Sequence, residues 1–332
     1  CHVHFPQMQV IASYAANLLE WLNTYTFPEE CRFVESAHAE RIAKHFFDEF
    51  LRQGTTTAVA YCSVHKASAD AFFAESVKRG TLMIGGKVMM DRNAPPGLCD
   101  TPQSGYDDTK AGIAKWHGKG RAHYAITPRF AITSTHAQMA MAEALAREFP
   151  DLHIQTHVSE NLAEIAFANE LYPNYGDYVG IYEKYHLLGP KTLLGHAIHL
   201  SHREVEVLAD TGAVAVFCPT SNLFIGSGLF DYDRLHQHGE VGPRDAVDLM
   251  AREAADHPGD EIGNILDIGI PRLKAALGIE LAKFGGADQH QGGGLGILIP
   301  LQQRRHSRDQ CFTTAVFSFE IRPLKIRHHQ PR

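Results

Sequence analysis

From residue 36 to about 240 the chain alternates between short apolar runs and longer stretches whose apolar residues recur at helical spacing. Runs rich in β-branched and aliphatic residues predict buried strands at TTTAVAYCS (55–63), TLMIGGKVMM (81–90), AHYAITPRF (122–130), LHIQTHVSE (152–160), TLLGHAIHLS (192–201) and AVAVFCPTSN (213–222). Helices are predicted between them. Ser36 can cap AHAERIAKHFFDEFLRQG, with Gly54 as its stop, and ASADAFFAESVKRG (67–80) and DDTKAGIAKWHG (107–118) follow. Downstream, Thr135 or Ser134 can cap HAQMAMAEALAREF, and NLAEIAFANELY (161–172) and HREVEVLADTG (202–212) complete the set.

Strands alternating with helices of this length imply parallel βαβ units. Six strands in about 180 residues suit a (β/α)8 barrel better than an open sheet. No G-x-G-x-x-G follows the first strand, so a dinucleotide fold gains no support. After about Gly239 the character changes: a polar, helix-like EVGPRDAVDLMAREAADHPGDEIGN gives way to a Gly/Gln-rich stretch and a basic end. The expected organisation is therefore an incomplete barrel over 1–239 and an atypical segment of uncertain fold over 240–332. That segment reads either as a linker with a small extra domain or as a frameshifted or chimeric continuation. The chain also opens without Met, directly in a motif, which we take as the mark of a missing N-terminal part.

Composition narrows the function classes. A net charge of -7 and a pI near 6.3 argue against a nucleic-acid or anionic-membrane partner. No apolar run approaches the roughly 20 residues of a membrane helix. Six cysteines lie far apart with no C-x-x-C, as expected of reduced thiols in the cytoplasm. Histidine is abundant, at 21 residues, which invites a metal site but also makes chance pairs common. His2-x-His4 ends a strand, so both imidazoles share a face; His236-x-His238 has the same spacing and is read as accidental.

The first pair gains weight from its company. His157 in QTHVSEN and His196 in LLGHAIH each sit near the end of a separate strand, where barrel sites are built. A core histidine bonded to backbone is the ordinary alternative for either one alone. Glu160, three residues after His157, can shuttle protons between water and substrate, or can simply favour the positive end of the helix it precedes. Arg129, Phe130 and Asn222 also fall at strand ends, the last within an ordinary loop-forming CPTSN. A cytidine-deaminase type of zinc site needs P-C-x-x-C, and a zincin needs H-E-x-x-H; the sequence has neither.

On CHVHFPQ, LLEWLNTYTFPEE, GTTTA, TPRF, HVSEN, LLGHAIHLS and CPTSNLFIGSG, the sequence resembles the metal-dependent amidohydrolase superfamily and, within it, the guanine deaminases. The resemblance covers residues 1–239. It implies a TIM-type barrel with His2, His4, His157 and His196 as metal ligands, and Glu160, together with His196, in the catalytic machinery. It further implies that Gln7 and Arg129 hold the polar edge of a purine, with Phe130 beside them and Leu19 and Trp21 near the ring. Zinc is the expected ion, with iron(II) also suited to imidazole donors. The implied reaction is hydrolysis of guanine to xanthine and ammonia, by a homodimer. One departure stands out. The family's last metal-binding aspartate follows a Thr in a strand after CPTSN, and here that place reads HGEVGPRDAVDLM. Asp245, Asp248 and Asp288 do not match in context, so impaired or absent activity is expected of this chain. Two rivals are another amidohydrolase, such as an adenosine-type deaminase or triazine chlorohydrolase, and a non-catalytic metal- or purine-binding remnant.

Overall fold

The computed structural model describes residues 2–13, 17–231 and 234–235. The expectations for residues 240–332, including the atypical segment and the missing aspartate, lie outside the described residues. Every predicted strand is present: β1 (His2–His4), β2 (Thr57–Tyr61), β3 (Leu82–Gly86), β4 (Val88–Met89), β5 (Ala122–Pro128), β6 (His153–Val158), β7 (Thr192–His196) and β8 (Val214–Val216). The helices are α1 (Leu18–Trp21), α2 (Phe27–Cys31), α3 (Ser36–Arg52), α4 (Lys66–Arg79), α5 (Pro102–Trp116), α6 (His136–Glu148), α7 (Leu162–Leu171), α8 (Tyr178–Lys184), α9 (His202–Thr211) and α10 (Pro219–Phe224).

All strand pairs are parallel, in the order β1-β2-β3-β5-β6-β7-β8, with β4 on β5. The sheet curls: the rings of His2 on β1 and His196 on β7 stand 5.1 Å apart although four strands separate them in this order. This is the curvature of a (β/α) barrel. Its inner face carries a small apolar layer, Val59, Ile84, Ala125, Leu193 and Val214, one from each of five strands. The larger core, rich in Phe5, Phe33, Phe46, Phe47 and Phe72, includes the packing of the helices on the sheet.

Local chemistry explains most boundaries. Ser36 is the first residue of α3, not its cap; Glu35 occupies the cap position and gives no side-chain bond. Gly54 does stop that helix, at φ +76° with its N–H donated to Leu51 O. The single strand expected over 81–90 is broken at Lys87, whose buried ammonium reaches Asp100 at 2.5 Å and the Val88 carbonyl at 3.1 Å. Helix α5 begins at Pro102, five residues before the expected start, because Thr101 and Ser104 form a capping box ahead of the proline. The segment Leu18–Cys31, for which the apolar pattern gives no element, is helical throughout, with a π-helical turn over Leu22–Thr26 between α1 and α2.

Candidate active site

Strand periodicity sets the metal side of the site. His2 and His4 pair in register with Val59 and Tyr61, and all four face the barrel interior. On β6 the inward positions are Gln155, which donates to Ala60 O across the barrel, and His157. Alternation on β7 sends Leu193 and Gly195 inward and would turn His196 away. A left-handed backbone at His196 (φ +71°), continued at Ala197 (φ +46°), breaks the alternation and brings the imidazole to the mouth. Gly195 makes room for the result. A Cβ there would lie 2.8 Å from Cε1 of His2.

One nitrogen each of His2, His157 and His196 lies within 4.8 Å of the other two, an arrangement that can hold an ion. His4 is not within that common radius; its Nε2 lies 2.9 Å from Nε2 of His157. The donor chemistry fits a divalent ion. Burial is the main cause holding the pKa values of His2, His4 and His157 well below the usual imidazole range, and neighbouring imidazoles add to it. His196 is lowered by burial as well. The rings are thus neutral, as ligation requires. Two are oriented from behind: Nδ1–H of His157 donates to Arg129 O at 2.7 Å, and Nδ1–H of His196 donates to Asn222 Oδ1 at 2.8 Å. Both leave an Nε2 lone pair toward the centre. His4 Nδ1 is buried without a hydrogen-bond partner among the described residues, so this cluster is not self-satisfied there.

Glu160 joins the cluster from the loop after β6, with Oε2 3.3 Å from His196 Nε2 and Oε1 accepting from Ser227 Oγ at 3.3 Å. The preceding Ser159 has φ +50°, a second left-handed residue at a strand end. Burial raises the Glu160 carboxyl to about 8, offset in part by the Ser227 bond, so it carries a proton near neutrality.

The opposite wall is built from less regular pieces. Gln7 comes from the 3-10 turn Phe5–Val10, and Leu18, Trp21 and Leu22 come from the helical stretch through the π turn. Arg129 and Phe130 follow β5. These residues, with His2, His4, His157, Glu160 and His196, line a cavity of about 150 Å³. Leu19 does not line it. On a helix, adjacent residues point about 100° apart, and the wall is taken by Leu18 and Leu22 while Leu19 packs against the core. Trp21 Nε1 donates to Ser13 O at 3.0 Å, which fixes the indole edge.

The apolar and polar pattern singles out neither Tyr61 nor Glu30. Tyr61 is fully buried under the histidines, stacked on His4 at 4.5 Å, with its hydroxyl unpartnered among the described residues. Glu30, also fully buried, binds Arg129 through two hydrogen bonds of 2.5 and 3.1 Å and accepts from Gln7 Nε2 at 3.1 Å. Asn222, which could equally have been a plain loop residue, is the partner of His196.

Known proteins with this arrangement are readily matched. The amidohydrolase family model fits residues 1–241. Guanine deaminase of Escherichia coli (strain K12) is 42% identical over 287 residues, 86% of this chain and 65% of that enzyme. The solved structure of E. coli guanine deaminase matches with a TM-score of 0.70 at 45% identity, over 72% of this chain and 55% of that one. Guanine deaminase from C. acetobutylicum, solved with guanine bound in its active site, matches with a TM-score of 0.68 at 31% identity, over 73% of this chain and 58% of that one. The chain thus spans less than two-thirds of the length of these relatives. The match over 1–241, on a curled parallel sheet with its histidines at the strand ends, means that the chain belongs to the amidohydrolase family.

Proposed function

We propose that this is a guanine deaminase site, built to hydrolyse guanine to xanthine and ammonia with zinc as its resident ion, and that its turnover is impaired by the missing aspartate. The observation that carries the reading is the facing of two walls across one small cavity. On one side is a protonated, buried Glu160 beside three convergent imidazoles; on the other are Arg129 and Gln7. A divalent ion held by His2, His157 and His196, with His4 adjacent, would supply the Lewis acidity that activates water at neutral pH. Zinc suits four neutral nitrogen donors, and iron(II) is the alternative ion.

The chain's own residues account for the rest. Arg129 spends two N–H groups on Glu30 and keeps others for an acceptor such as a purine carbonyl. Trp21 and Phe130 offer flat apolar surface to a ring system. Glu160 holds a proton to give to a ring nitrogen and, after taking a second from the attacking water, can pass that one to the departing amine. A cavity of this size takes a free base more readily than a nucleoside. The sequence likeness to guanine deaminases, one of them solved with guanine bound, supports the same substrate. A cytoplasmic homodimer belongs to this reading. The free thiols of Cys31, Cys62, Cys99 and Cys218 support the compartment, and the dimer is what the family resemblance implies.

The test is xanthine formation from guanine by the purified, zinc-loaded chain, with Glu160→Ala as control. Turnover that the control lacks supports the deaminase. A folded, zinc-holding protein that forms no xanthine overturns it and leaves a binding remnant.

A further inference from the structure

Among the described residues, Glu30 is the one carboxylate that touches both polar residues of the pocket's far wall. It is fully buried at the end of the helical stretch through the π turn, and Arg129 is only 2% exposed. Its Oε1 accepts from both Gln7 Nε2 and an Arg129 N–H, each at 3.1 Å, and its Oε2 accepts from the other Arg129 nitrogen at 2.5 Å. The Arg129 guanidinium also stands 5.3 Å over the Phe27 ring, three residues before Glu30. A carboxylate only accepts, so it dictates the orientation of both partners. Turned the other way, the Gln7 amide would set its oxygen against a carboxylate oxygen.

We propose that Glu30 is the positioning residue that sets substrate choice, by fixing a donor from Arg129 beside an acceptor from Gln7. This rests on the deaminase reading of the site and goes beyond it. With its nitrogen anchored on Glu30, Gln7 offers the cavity its amide oxygen, which pairs with an N–H. Arg129, held by two bonds to the same carboxylate, offers N–H groups, which pair with a carbonyl. An adjacent carbonyl and ring N–H is the edge of a 6-oxopurine. A purine lacking the 6-oxo group presents an unprotonated ring nitrogen to the same amide oxygen and nothing to the guanidinium. The wall therefore selects for the carbonyl and not for the ring system alone.

The experiment compares guanine with 2-aminopurine, which carries the same 2-amino group and no 6-oxo group. Binding of 2-aminopurine to the zinc-loaded chain is followed by its fluorescence, and guanine is measured by competition. The parent chain is expected to prefer guanine. Glu30→Gln removes the charge that fixes both partners, so guanine should weaken at least about tenfold, the value of one charge-assisted hydrogen bond, while 2-aminopurine stays within about twofold. A structural role alone would weaken both purines together, and that result, or no change in either, overturns the proposal. Should Glu30→Gln fail to fold, Glu30→Asp carries the test. It keeps the charge but cannot reach Gln7 and Arg129 at once, and an intermediate loss of the preference is expected; an undiminished preference overturns the proposal. Should the parent chain bind neither purine, the deaminase reading falls on its own. The positioning claim is then decided by crystal structures of the parent and Glu30→Gln chains, where unchanged Gln7 and Arg129 side chains overturn it.

Discussion

The two walls of the cavity are built by opposite strategies. The metal side hangs on the ends of β1, β6 and β7, and backbone or amide oxygens set two of its imidazoles. The substrate side hangs on a 3-10 turn, a π turn and the residues after β5, held together by one buried carboxylate. Strands place side chains by periodicity, so the first wall is rigid by construction. The second needs an internal tie, and Glu30 is that tie. Damage to the first wall should therefore reach the ion, whereas damage to the second should reach the substrate and leave the ion in place.

His157→Ala gives the strongest contrast. Loss of one of four imidazoles should cost roughly a hundred- to a thousandfold in zinc affinity, if a site worth roughly 10–16 kcal/mol divides about equally among its ligands. Metal analysis after dialysis checks this, and retained zinc would break the distinction between the walls. Next is Glu160→Gln, which removes the transferable proton without removing a ligand. Turnover should fall roughly 10²–10⁴-fold with zinc content unchanged, as measured by xanthine formation beside metal content.

A pH dependence probes the support behind the metal wall. Glu164 accepts from Glu160 N and Tyr178 Oη, and burial raises its carboxyl from an ordinary 4.5 to about 7. The unfolded chain gives up this proton first as pH rises. The stability linked to Glu164 is thus complete below about pH 4.5 and is lost progressively up to about pH 7, on the order of 3 kcal/mol. Urea unfolding of metal-free protein across that window should show the fall, and Glu164→Gln should lessen it, leaving the part that belongs to Glu160. An equal slope in both proteins would refute the assignment. Asn222→Ala, which leaves His196 Nδ1 without its acceptor, should weaken zinc roughly 10–100-fold. The smallest effect belongs to the other wall: Trp21→Phe loses the bond to Ser13 and should raise KM for guanine by about two- to fivefold, with zinc binding untouched.

The same contrast explains what could be read from the amino-acid sequence. His2, His4 and His157 are legible because a strand's period of two and the rule that barrel sites sit at strand ends leave few alternatives; His196 is legible from its strand-end position alone, since alternation would turn it away. Glu160 is legible by its nearness to His157. The supporting residues are harder. Gly195 is visible only as a glycine before a histidine, and nothing in LLGH says that the ring of His2 needs the space. Asn222 looks like any loop former. Leu19 is expected near the ring, but Leu18 and Leu22 line the cavity in its place, because the facing of a helix that passes through a π turn follows no fixed period. Glu30 had a local signal, two acids after a proline, but its partners lie 23 and 99 residues away and no pattern joins them.

The position of β1 has a further consequence, for how that strand is held. His4 and His157 touch across 153 residues of chain, and His2 reaches His196 from still farther. Within the described residues β1 is hydrogen-bonded to β2 alone, so its histidine rings are what join it to β6 and β7. An ion gripped by His2 and His157 would act as a staple across that long loop, much as a disulfide does by restricting the unfolded chain. A chelator would then do more than stop the chemistry: it would free the first strand of the barrel to fray.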